Sequence, residues 1–74
     1  MKTVSYDLNI YPLEIIRGAI LDYRHLCTID LSVEGDLAIL SFFKCLYDED
    51  ITINEFSNYL IDLIGVNYGI QYDM

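Results

Sequence analysis

The chain has 74 residues, 54% of them hydrophobic, and four Lys or Arg against twelve Asp or Glu leave a formal charge of −8. That length holds one domain, which buries only about 60% of the surface its unfolded chain exposes and so needs a dense core; the apolar content supplies one and excludes disorder of the whole chain. Lys2, Arg17, Arg24 and Lys44 are too scattered to form a basic patch, so phosphate backbones and anionic membranes are repelled, and neither nucleic acid nor a membrane is an expected partner.

Val4, Tyr6, Leu8 and Ile10 alternate with Ser5, Asp7 and Asn9, the period-two pattern of a strand with one buried face. Pro12 follows where a helix can begin without losing a needed N–H, and Leu13, Ile16, Ala19, Ile20 and Tyr23 recur at helical spacing to about His25. Gly18 inside that stretch costs about 1 kcal/mol relative to Ala, and a close approach of helix to strand is the expected reason.

Alternation returns from Cys27 to Val33, and Glu34-Gly35 reads as the two-residue loop of a hairpin. That loop sets Val33 opposite Asp36, Leu31 opposite Ala38, Ile29 opposite Leu40 and Cys27 opposite Phe42. In that register Cys45 lies three positions past the partner of Cys27 and on the other face, so the two cysteines are expected as separate, reduced thiols. The third strand is apolar on both faces. Its second face, Leu37, Ile39 and Phe43, points away from the core and calls for a cover, either the chain's own tail or another molecule.

After Asp48-Glu49-Asp50, the run Ile51-Thr52-Ile53-Asn54-Glu55-Phe56 fits a helix start with Thr52 as N-cap, Glu55 as its reciprocal partner and Ile51 stapled to Phe56. Phe56, Tyr59, Leu60, Leu63 and Ile64 form the buried stripe, and Gly65 is the expected end. Val66, Tyr68, Ile70 and Tyr72 alternate beyond it, which leaves open a short fourth strand beside the first or an irregular tail. The predicted fold is a single α+β domain over residues 1–74, a two-layer β-α-β-β-α arrangement with an antiparallel or mixed sheet in the order 1-3-2. The fourth strand would complete a ferredoxin-like order 4-1-3-2.

Chemistry-bearing patterns are sparse. His25, Cys27 and Cys45 make the one arrangement that resembles a metal site, but they lack paired C-x-x-C spacing and Cys27 and Cys45 face apart, so no metal is expected. One histidine limits nucleophilic catalysis, and no G-x-S-x-G, Walker or G-x-G-x-x-G pattern occurs. The carboxylates Asp48, Glu49 and Asp50 read as a solvated loop near a helix start, and neither a catalytic residue nor a cofactor is expected. Seven tyrosines suggest contact surface, since each ring offers large area with a polar tip. Tyr6, Tyr23 and Tyr59 fall on core stripes; Tyr47, Tyr68 and Tyr72 do not, and with Leu37, Ile39 and Phe43 they form the candidate partner-binding set. No stretch approaches the roughly 18 apolar residues of a membrane span and the first residues form no signal-peptide core, so a cytoplasmic protein is expected.

Three stretches resemble a known family: Val4 through Ile16, the hairpin from Ile29 to Asp36, and Glu55 through Asp62. They look like the small HxsD proteins of the His-Xaa-Ser system, over about residues 4–62. The resemblance implies an accessory protein that acts alongside radical-SAM maturation enzymes and a His-Xaa-Ser repeat protein in peptide modification; it carries over no catalytic residues. The functional expectation is a non-catalytic module that binds a protein or peptide and can self-associate. The alternatives are an acidic inhibitor or nucleic-acid mimic that blocks a basic groove, and a minimal enzyme.

Overall fold

The computed structural model describes residues 1–67. Five elements follow in order: β1 (Lys2–Asp7), α1 (Leu13–Tyr23), β2 (Thr28–Glu34), β3 (Leu37–Phe43) and α2 (Glu49–Asn67). The strands form one antiparallel sheet in the order β1-β3-β2, so the expected α+β class, element order and central third strand are all present.

The first strand is shorter than its alternation suggests, because Asp7 turns the chain. Its carboxylate accepts the Asn9 N–H at 2.9 Å, and its carbonyl accepts those of Ile10 and Tyr11 at 2.9 and 2.8 Å. An aspartate that bonds the backbone two residues on builds a turn in place of a ladder. Ile10 is left outside the sheet and exposed. Helix α1 then starts on Pro12, whose carbonyl accepts the N–H groups of Ile15 and Ile16 at 3.0 and 3.1 Å.

The hairpin closes one residue later than expected. Glu34 pairs with Leu37, so the loop is Gly35-Asp36, and Gly35 takes φ of +59°. A positive φ at the first loop residue alone is the pattern of a II′ turn, which wants glycine first; a Glu34-Gly35 loop would have put glutamate there. The register moves by two: Val33 faces Ala38, Leu31 faces Leu40 and Ile29 faces Phe42. An even shift leaves every side chain on its original face, so the two faces of β3 are as expected although each partner is not.

The cysteines are not separate. Lys44, directly after β3, has φ of +54° and turns the chain back; Leu46 N–H reaches the carbonyl of Leu26 at 2.9 Å, and Cys45 is joined to Cys27 by a disulfide. The expectation of free thiols rested on a strand running straight past Phe43, which the left-handed residue prevents. Disulfides persist in oxidising compartments and are rare in the cytosol, so the bond also removes the ground for assuming reduced cysteines.

The second helix begins earlier and ends later than expected. Asp48 is its N-cap: its carboxylate accepts the Ile51 N–H at 3.1 Å, and its carbonyl accepts the Thr52 N–H at 3.0 Å and the Thr52 hydroxyl at 2.9 Å. An aspartate outranks a threonine three residues inside the same helix as a cap, and Thr52 instead lies buried within the first turns. Ile51 is exposed, so it staples nothing. Gly65 does not stop the helix, which runs to Asn67 and includes Val66. The rest of the expected fourth strand, Tyr68 to Tyr72, lies outside the described residues.

Both helices cover one face of the sheet. Tyr6 from β1 and Ala38, Leu40 and Phe42 from β3 meet Ile15, Ile16 and Ala19 of α1 and Phe56 and Leu60 of α2 in a single buried cluster. Phe56 sits at its centre, with the rings of Tyr23 and Phe42 edge-on at 5.2 and 5.3 Å. The Tyr6 hydroxyl shares a hydrogen bond of 2.7 Å with that of Ser57, which ties β1 to α2. Gly18 has no close neighbour: a Cβ built there meets nothing within 4 Å, so the expected helix–strand approach is absent.

Candidate functional site: the open face of the sheet

Strand periodicity sends alternate residues of β3 to opposite sides. Ala38, Leu40 and Phe42 go to the helical layer and are fully buried, while Leu37, Ile39, Ser41 and Phe43 go to the other side. Among the described residues no helix lies over that side. Leu37 remains 43% exposed; Ile39 and Phe43, screened by side chains of the flanking strands, are half-buried.

The pairing supplies the surroundings of this stripe. Leu37 stands between Asp7 and Glu34, Ile39 between Ser5 and Ser32, and Ser41 between Thr3 and Asp30, while Phe43 pairs with Thr28. Thr3 and Ser41 share a hydrogen bond of 3.3 Å. The face is therefore an apolar line along the central strand, framed by hydroxyls and by the carboxylates of Asp7, Glu34 and Asp30, and its strand positions hold no Lys or Arg. Lys2, the basic residue of β1, points to the other side, where its ammonium pairs with Asp50 at 3.2 Å.

Of the residues expected to bind a partner, the fold brings Leu37, Ile39 and Phe43 into one line of roughly 20 Å at strand rise. Tyr47 stands apart in the loop before α2, 67% exposed. Tyr68 and Tyr72 lie outside the described residues. The polar frame was missing from the expected set, yet its signal was present: Thr3, Ser5 and Asp7, and Thr28, Asp30, Ser32 and Glu34, are the polar positions of the two alternating strands.

The Cys27–Cys45 bond leaves no thiolate to join His25 as a metal ligand, and among the described residues no group of three or more His, Cys, Asp or Glu could hold a metal ion. Three phenols on the helical side titrate above their usual range. Burial raises Tyr6; burial and the nearby Glu55 carboxylate raise Tyr23; the hydrogen bond from the Tyr59 hydroxyl to Asp22 raises Tyr59. Each cause favours the neutral phenol: burial at Tyr6 and Tyr23, and donation to a carboxylate at the exposed Tyr59 hydroxyl. Among the described residues no helix is long and apolar enough to cross a membrane.

Compared with protein families, with curated proteins and with solved structures, the chain matches none of them.

Proposed function

We propose that the chain is a non-catalytic accessory module that holds a protein or peptide against the open face of its sheet. One observation carries the reading: both helices pack on the same side, and on the side that no described helix covers Leu37, Ile39 and Phe43 form an apolar line interrupted only by Ser41, where a solvated sheet face would be polar. Burying a Leu, Ile or Phe side chain contributes about 1.5–3 kcal/mol, so a partner that covers these three gains affinity without displacing any of the described elements. The carboxylate frame favours a partner with basic groups flanking its own apolar residues.

The likeness to HxsD proteins supplies a setting, a peptide-maturation system in which this module presents or positions a component for another enzyme. Such a setting is cytoplasmic, and there the Cys27–Cys45 bond would be held open. An acidic inhibitor of a basic groove remains the alternative from another class. Charge-driven binding weakens steeply with added salt, whereas binding through the stripe persists.

The test is retention of a partner from the native host on the wild-type chain and on Ile39→Asp and Leu37→Asp. The expected result is an unchanged circular dichroism spectrum and thermal midpoint with loss of the captured protein. Retention of the same protein by both folded variants would sink the proposal, and unfolding of both would reassign the stripe to the core.

A further inference from the structure

A second uncovered region lies at the edge of the sheet. Ile29 and Leu31 of β2 and Ile20 and Leu21 of α1 line an apolar groove of about 310 Å³, with Arg17 at its mouth. On the same side Leu21 and Val33 are 58% and 45% exposed. Among the described residues β2 is an edge strand, paired with β3 alone, and its seven residues contain no Lys, no Pro and no break in the register; its charges, Asp30 and Glu34, both lie on the open face.

The direction of its free backbone groups follows from one contact. The Leu8 N–H reaches the carbonyl of Asp36 at 2.7 Å, which aims the even-numbered backbone groups of β3 and its approach toward β1. Odd-numbered residues of β3 then bond β2 through their partners Thr28, Asp30, Ser32 and Glu34. Ile29, Leu31 and Val33 are left with N–H and C=O directed to the edge that no described strand occupies, and their side chains lie on the groove side.

We infer that this edge binds the same edge of a second copy, through an antiparallel β2–β2 pairing with Leu31 on the two-fold axis. In that register Leu31 meets its own counterpart and Ile29 meets Val33 of the second copy, so apolar side chains face apolar ones beneath the two α1 helices. On the open face Asp30 meets Ser32 and Thr28 meets Glu34, so each carboxylate faces a hydroxyl. Sliding by two residues one way sets Asp30 against Asp30, and the other way sets Asp30 against Glu34; like charges directly opposite are destabilising. Only the centred register both pairs the whole strand and avoids that repulsion. The contact is isologous and closes on itself, and it joins the two open faces into one six-stranded sheet.

The test is the mass of the full chain by analytical ultracentrifugation over a range of concentration and salt. A concentration-dependent rise from 8.6 kDa to twice that mass is expected, stronger at high salt because each copy carries −8. Ser32→Glu places a carboxylate opposite Asp30 of the second copy at two symmetric positions and weakens the dimer roughly tenfold. Ser32→Lys, at the same exposed site, strengthens it, and Asp30→Lys combined with Ser32→Glu restores it. A wild-type chain that stays monomeric at the highest soluble concentration overturns the inference, as does a dimer indifferent to the charge at residue 32. Leu37→Asp, on the central strand, leaves the dimer intact and so separates this interface from the partner-binding stripe.

Discussion

The disulfide between Cys27 and Cys45 ties the start of β2 to the end of β3, and it forms because Lys44 between strand and cysteine adopts a left-handed conformation. The bond closes the hairpin at its open end, opposite the Gly35-Asp36 turn. Cys27 is itself part of the buried cluster, 3% exposed, so the bond links the hairpin to the core as well as to itself.

Opening that bond should therefore cost stability without dismantling the fold. The cysteines are 18 residues apart, and restricting an unfolded loop of that size contributes about 3 kcal/mol in the chain-entropy model. Urea denaturation of the oxidised chain, the reduced chain and Cys45→Ala measures it. Reduced and substituted forms should share a lower midpoint, and identical midpoints for all three would mean that the bond constrains nothing.

Two glycines lie in helices where nothing requires them. A Cβ at Gly18 or Gly65 meets no atom within 4 Å, and neither residue has a positive φ. Replacing each with Ala removes the conformational cost of glycine in a helix, so Gly18→Ala should stabilise by about 0.5–1 kcal/mol. Gly65→Ala should act in the same direction. Thermal midpoints of the two variants decide the matter, and a loss at Gly18 would reveal a contact that the packing does not contain.

Asp48 caps α2 with its side chain, and its carboxylate also lies at the positive end of the helix dipole. Asp48→Ala should cost about 1 kcal/mol, Asp48→Asn less, and Asp48→Lys more, since it inverts the charge as well as removing the acceptor. Thr52→Ala separates the two capping assignments. If Asp48 is the cap, that change loses the bond from the Thr52 hydroxyl to the Asp48 carbonyl and the packing of one buried methyl but no capping bond, and helix content should be unchanged in the circular dichroism spectrum.

The three displaced tyrosines give stability a defined alkaline limit. Tyr6, Tyr23 and Tyr59 all have folded-state pKa values raised above the model-peptide value of 10.0. For such a group the unfolded chain ionises first as pH rises, so the stabilisation is complete below about pH 10 and is lost through the range above it. The urea midpoint should begin to fall above pH 10, and Tyr6→Phe should reduce the steepness of that fall. A midpoint that rises through this range would contradict the assignment.

Local pattern carried a large part of this fold. Alternation in Val4 to Leu8 and Thr28 to Val33, helical spacing in α1 and α2 and the doubly apolar third strand were enough for the class, the element order and the central place of β3. They also marked Leu37, Ile39 and Phe43 as a separate face. Those features depend on which residues are apolar and on the period of each element, and both are written in neighbouring positions.

What neighbouring positions did not contain was backbone geometry chosen by competition across the whole chain. Gly35 took the first place in the turn because a II′ loop needs positive φ there, and so every pairing partner moved although no face did. Lys44 adopted a conformation that residue type alone does not announce, and it brought together two sulfurs that a straight strand keeps apart. Asp48 displaced Thr52 as cap because a side chain caps only from outside the first turn, and where that turn begins is set by how α2 packs on the sheet. Pattern decided which side chains are buried together; tertiary packing decided which atoms of them meet.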